Sequence, residues 1–319
     1  MEYRVLGRTG LCVSQLAFGA GPIPAVMTTG GQAEQHAIVR RALDVGINWF
    51  DTAAGYGAGQ SEASLGDALH HLRSHDAVQL ATKVRVAGDD FENLEMAVRR
   101  SLEGSLSRLR TNGVALLQLH NAITWRRDDE PSSVSVDDVL GENGIAYQLE
   151  RLKEERLVAA IGLTGTGQAD ALREVIASGR FDTIQAPYNL ANPSAGQSMS
   201  SDFPETNYGN VFAECARQNM GVFAIRVYAG GALAGLAPGP HTLQTRYFPL
   251  DLYRRDQARA DRWRDELARH GLTLLEAALR FSLSHPAVTA AIVGFSTPQQ
   301  IDEAVAYANA GAWIETLTG

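Results

Sequence analysis

Four polar side chains frame the chemistry open to this chain: Asp51, Tyr56, Lys83 and His120. Three of them end apolar runs, Ile47-Asn-Trp-Phe-Asp51, Val78-Gln-Leu-Ala-Thr-Lys83 and Val114-Ala-Leu-Leu-Gln-Leu-His120, and Tyr56 follows the first run closely. A tyrosine with its ordinary pKa of about 10 is a weak proton donor at neutral pH. A nearby ammonium stabilises the phenolate and brings the group toward the range useful for general acid-base catalysis. Lys83 supplies that ammonium, and Asp51 supplies the partner a buried lysine needs to stay charged. His120 can orient a carbonyl oxygen or assist proton movement to Tyr56. Taken singly, each has a bland reading as helix cap, strand end, core histidine or loop aromatic. Their joint position at successive strand ends favours catalysis.

That position depends on the elements carrying them. Leu16-Ala-Phe-Gly19 and the runs at 47–51, 78–82, 114–119, 158–163, 183–186, 222–226 and 289–293 read as strands. Helical patterns fall near 33–45, 61–73, 91–110, 143–155, 167–179, 207–219, 273–284 and 298–308. Nearly continuous apolar strands alternating with amphipathic helices predict a parallel sheet covered by helices. Eight such units predict a closed (β/α)8 TIM barrel, with an open doubly wound sheet as the alternative. Alternation around Gly7-Arg-Thr-Gly10 predicts an N-terminal β-hairpin. Long connections at 20–32, 121–142, 187–206 and 229–250 all follow strands, on the C-terminal face where barrel enzymes build their sites. No linker divides residues 1–319, which read as one barrel domain.

Composition narrows the partners. With 45% hydrophobic and 20% charged residues the chain can form a core, and a formal net charge of -8 without basic clusters argues against nucleic acid or an anionic membrane. Cys12 and Cys215 lie far apart, suggesting neither disulfide nor metal site, and no apolar run approaches a membrane span. A reducing cytoplasm is the expected location. Gly162-Leu-Thr-Gly165-Thr-Gly167, with Asp182 downstream, departs from the dinucleotide fingerprint because Asp170 stands at the third glycine position. A tight βα turn is the better reading, and no phosphate-binding P-loop motif is present.

The segment Asp51-Thr-Ala-Ala-Gly-Tyr56-Gly-Ala-Gly-Gln-Ser-Glu62, with Lys83 and His120, closely resembles the Asp/Tyr/Lys/His tetrad of the aldo-keto reductase family. The likeness extends to Tyr3-Arg-Val-Leu-Gly-Arg-Thr-Gly, Gln185-Ala-Pro-Tyr188-Asn189 and Ile292-Val-Gly-Phe-Ser-Thr-Pro-Gln-Gln300. It implies hydride transfer between a nicotinamide and a carbonyl or alcohol, with Tyr56 moving the proton. It also implies that Thr164 and Gln185 hold the nicotinamide carboxamide, although Thr164-Gly165 replaces the usual Ser-Asn pair. Ile225-Arg226-Val-Tyr228 replaces the usual Tyr-Ser, which leaves open whether Tyr228 or an aliphatic face covers the ring. Arg226 is read either as a pyrophosphate ligand or as a structural ion pair.

The same resemblance implies that Gly230 falls in the loop closing over the cofactor, Gly294, Phe295, Ser296 and Thr297 in a phosphate-binding turn, and Gln300 and Glu303 at the adenosine end. NADPH is the expected cofactor, with NAD(H) as the alternative. Tyr56, His120, Trp125 and Tyr188 are the expected substrate contacts, with Ile23 and Met27 lining the pocket and Arg126, Arg127 and His241 as further polar candidates. An aldehyde, ketone or sugar is the expected substrate, and aldose oxidation at the anomeric carbon is the branch that the departures suggest. A nucleotide-binding regulatory subunit, as in potassium-channel β-subunits, is the competing class, and the complete tetrad is compatible with both.

Overall fold

The computed structural model describes residues 1–244 and 250–312. Its centre is a closed, all-parallel barrel of eight strands in sequential order. They are β1 (Leu16–Gly19), β2 (Trp49–Asp51), β3 (Gln79–Val84), β4 (Val114–Leu119), β5 (Val158–Thr164), β6 (Thr183–Pro187), β7 (Gly221–Ile225) and β8 (Val288–Val293). Surrounding helices are α1 (Gln32–Asp44), α2 (Gln60–Leu72), α3 (Leu94–Leu109), α4 (Ile145–Glu154), α5 (Ala169–Ala177), α6 (Val211–Arg217), α7 (Leu274–Ser284) and α8 (Pro298–Asn309). Their starts carry local signals: Asn93, Thr273 and Thr297 each accept a hydrogen bond from a first-turn backbone N–H, and Pro298 occupies the first turn of α8.

Period-two alternation divides each strand between two cores. Outward residues such as Phe18, Phe50, Leu117 and Ile184 join the sheet-to-helix core. Inward residues Ala17, Trp49, Ala81, Leu116, Ala160, Phe223 and Ala290 fill the lower barrel. The predicted hairpin, Tyr3–Val5 paired antiparallel with Cys12–Ser14, adds Leu6 and Val13 to this inner core and closes its N-terminal end.

Two details depart from the sequence expectation. Strand β2 starts at Trp49 because Asn48 turns to the hairpin, its side chain accepting from the Ser14 N–H and donating to the Cys12 carbonyl. A long helix, Leu250–Arg269, lies between β7 and α7, outside the helices the sequence pattern predicts. The 121–142 connection also carries a short parallel pair, Ile123–Thr124 with Val134–Ser135.

Candidate active site

The same alternation that puts Trp49 inside β2 puts Asp51 inside, and the pattern repeats with Ala81 and Lys83 on β3 and with Leu116 and Gln118 on β4. One inward step beyond Gln118, His120 follows the last residue of β4, its backbone N–H donating to the Val84 carbonyl at 2.8 Å. Above the apolar layer lies a polar one. Lys83 Nζ donates to Asp51 Oδ1 at 2.6 Å, to the Thr52 carbonyl at 2.8 Å and to Tyr56 Oη at 3.2 Å. All three ammonium protons therefore have acceptors. From outside the barrel, Thr82 donates to buried Glu62 at 2.5 Å, and Arg108 donates to the other Glu62 oxygen at 2.7 Å, fixing the end of β3.

Electrostatics follow from these contacts. Burial pulls the Lys83 ammonium toward neutrality, but Asp51 and Tyr56 overcome it and hold its pKa above the ordinary lysine value. His120 moves the other way: burial, then Lys83, then Arg85 push it well below its ordinary value, so the imidazole is neutral. Its ring meets Tyr56 edge-on at 5.7 Å. The second Asp51 oxygen, Oδ2, accepts from Gln118 Nε2 at 3.2 Å and from Gln185 Nε2.

Asp51, Tyr56, Lys83 and His120 all line one cavity of about 910 Å³ at the C-terminal end of the barrel. Thr164, Gln185, Arg226 and Gly230 continue its wall, followed by Gly294, Phe295, Ser296, Gln300 and Glu303. Ile225, Val227 and Tyr228 also face it, so both the aliphatic surface and the tyrosine border this half. Arg226 is half-buried at a left-handed φ of 57°, and burial lowers its pKa to about 10 against the opposing pull of Tyr208, Asp256 and Tyr253. Ile23 and His241 line the cavity as well, together with Arg85, Pro131, Thr166, Leu236 and Tyr307, which the sequence did not single out. A signal for Arg85 did exist, since it stands one inward step beyond Lys83.

Several expected contacts lie elsewhere. Tyr188 does not line the cavity; alternation along β6 turns it outward, where it stacks on Phe281 and packs against Phe212 and His285, and burial raises its pKa to about 12. Trp125 is also absent from the lining and exposed, because the Ile123–Thr124 pairing turns the chain away and Pro131 of the same loop faces the cavity instead. Thr297 spends its hydroxyl on capping α8, accepting from the Gln300 N–H at 3.3 Å. Met27 is buried in the outer core. Arg127 pairs with Asp138, and Arg126 is exposed away from the cavity. Asp182, downstream of the glycine-rich turn, accepts from Lys153, Arg8 and the Ile161 N–H, which is a structural role.

A parallel barrel whose titratable groups and main cavity share its C-terminal mouth belongs, as a class, with the (β/α)8 enzymes. The match to known proteins is more specific: a model of the aldo/keto reductase family covers residues 15–312, and this chain belongs to that family, as an NAD(P)-dependent oxidoreductase. It is 27% identical over 309 residues to an L-galactose dehydrogenase of Arabidopsis thaliana, covering 96% of this chain and 88% of that protein. It is also 27% identical to a D-threo-aldose 1-dehydrogenase of a Pseudomonas species, covering 96% of this chain and 94% of that protein. An aldo-keto reductase from Bacillus halodurans, solved in its holo form, shares the fold with a TM-score of 0.70 at 22% identity, over 98% of this chain and 92% of that one. Among the described residues no helix is long and apolar enough to cross a membrane, and no group of His, Cys, Asp and Glu could hold a metal ion.

Proposed function

We propose that this protein interconverts a carbonyl and an alcohol by nicotinamide-dependent hydride transfer, with Tyr56 as the general acid/base. The observation that carries the proposal is the Lys83 ammonium, bonded at once to Asp51 and to Tyr56 Oη inside the cavity. A cation on the phenol oxygen favours the phenolate left when Tyr56 gives its proton to a substrate oxygen, and Asp51 keeps that cation charged while buried. His120, neutral and beside the Tyr56 ring, is suited to hold the substrate oxygen by a hydrogen bond without competing for the proton.

The cofactor half of the cavity fits a nicotinamide dinucleotide. Thr164 Oγ1 is buried without a hydrogen-bond partner, a polar atom placed where a carboxamide would satisfy it. Gly294 packs directly against the 20–32 loop, where a Cβ would lie 2.4 Å from the Ile23 carbonyl oxygen, so the glycine keeps the two segments bordering this end of the cavity together. At the far end, the cavity is bordered by Ser296, whose hydroxyl suits a phosphate, and by the N-terminal turn of α8, the end of a helix that favours negative charge. NADP(H) is the cofactor we assign, on the likeness of the Ser296 and Gln300 pattern to that of the family, and when bound it would supply or accept the hydride. Glu303 at the same end, with no lysine or arginine between Gly294 and Gln300, favours NAD(H) as the second reading. Titration with both dinucleotides separates them.

For the substrate, the two sugar-dehydrogenase relatives support an aldose oxidised at its anomeric carbon, with simple aldehydes and ketones in the reductive direction as the alternative. The deciding experiment follows nicotinamide absorbance with aldoses and NAD+ or NADP+, then with carbonyls and NADPH or NADH. Tyr56→Phe should lower kcat at least about a hundredfold, the size typical of a lost general acid, and leave dinucleotide affinity within about twofold. Comparable turnover in that variant would refute the assignment of Tyr56.

A further inference from the structure

The Asp51 carboxylate is held by more groups than an ion pair with Lys83 requires. Lys83 takes Oδ1, while Gln118 and Gln185 converge on Oδ2 from two other strands. A carboxylate oxygen only accepts, so each glutamine must present its amide nitrogen. That fixes the orientation of Gln118 and leaves its Oε1 buried without a partner. Thr183 Oγ1 is likewise buried and unpartnered, and the register sets Lys83, Gln118, Gly162 and Thr183 side by side on successive strands. Gln118 is fully buried, and the proposed proton chemistry gives it nothing to do.

The two glutamines are not equivalent. Gln185 lines the cavity beside Thr164, directly opposite it in the β5–β6 ladder, and can turn to a nicotinamide carboxamide. Gln118 lies beneath the cavity and does not line it. We propose that Gln118 is a positioning residue, which keeps Asp51, and through it the Lys83 ammonium, in place when Gln185 leaves Oδ2 for the cofactor. The proposal rests on the nicotinamide reading given above. Without Gln118, Gln185 is the last amide on Oδ2, and turning it toward the carboxamide strips that oxygen of its remaining amide donor.

The test compares binding of a dinucleotide with binding of the same nucleotide lacking its nicotinamide. Wild type, Gln118→Met, Gln185→Met and the double variant are titrated calorimetrically with NADP+ and with 2′-phospho-ADP-ribose, or with NAD+ and ADP-ribose if that pair binds more tightly. Gln118→Leu replaces the methionine variant if thermal unfolding shows that the latter is not folded. The expected result is a roughly tenfold weaker dinucleotide Kd in Gln118→Met, the size of one lost hydrogen bond to a charged group, with the nicotinamide-free nucleotide unaffected. This loss should vanish in the Gln185→Met background, because Gln185 then has no contact to give up. Equal weakening of both ligands, no weakening of either, or a loss that persists in the double variant overturns the proposal. A wild-type protein that gains no affinity from the nicotinamide would instead overturn the cofactor reading beneath it.

Discussion

Burial, then the Lys83 ammonium and the Arg85 guanidinium, deny His120 its proton, and this makes the folded protein sensitive to acid. The stability that depends on a neutral ring is fully present above the unfolded value of about 6.5 and is lost as pH falls through the depressed folded value, because only the unfolded chain readily takes up the proton. Replacing His120 with Asn should therefore flatten the loss of stability on acidification from about pH 6.5 to about pH 5. Urea unfolding at a series of pH values measures this, and parallel curves for the two proteins would contradict it. Lys83 has the opposite sign: its raised value contributes stability below the unfolded lysine pKa, and that contribution is lost only as pH rises through the folded one. That Asp51, Tyr56, Lys83 and His120 meet at one cavity was legible in the sequence, because each ends, or closely follows, an apolar run. The two amides on Asp51 were not, since a glutamine inside a strand gives no local sign that its partner lies on a distant one.

Gly162 shows how closely the strands constrain one another. A Cβ at this position would lie 2.3 Å from Thr183 Oγ1 and 3.2 Å from Gln118 Cγ. Gly162→Ala should thus destabilise the barrel by about 1–3 kcal/mol, the usual cost of overpacking. A denaturation midpoint unchanged from wild type would mean that Thr183 turns aside freely. Strands and surrounding helices were legible because apolar runs and 3.6-residue periodicity are local signals. The helix Leu250–Arg269 escaped because it buries only Tyr253, Ala260, Trp263 and Leu267 along a charged sequence. What it does is tertiary: Tyr253 Oη and Gln257 Nε2 both donate to the Leu236 carbonyl, at 3.0 and 2.6 Å, anchoring the loop that borders the cavity.

The barrel as a body is held by two cores meeting at its strands, an outer one beneath the helices and an inner one plugged by the hairpin. Trp49 and Phe223 pack at 4.9 Å in the inner core, directly below the polar layer. Phe223→Ala should cost about 3–5 kcal/mol, because a ring closed in on all sides leaves a cavity that rigid strands cannot fill. Equilibrium unfolding in urea checks this, and a loss below about 1 kcal/mol would show that Leu6 and Val13 relax into the space. The eight β/α units, the hairpin and the types of residue at each strand end follow from local amino-acid order, because propensity and periodicity act between near neighbours in the chain. Which way Tyr188 and Trp125 face, and which side chains share the oxygens of Asp51, are outcomes of long-range packing. Those outcomes depend on strand register and on where each loop leaves the barrel, and both are fixed when the ring of strands closes.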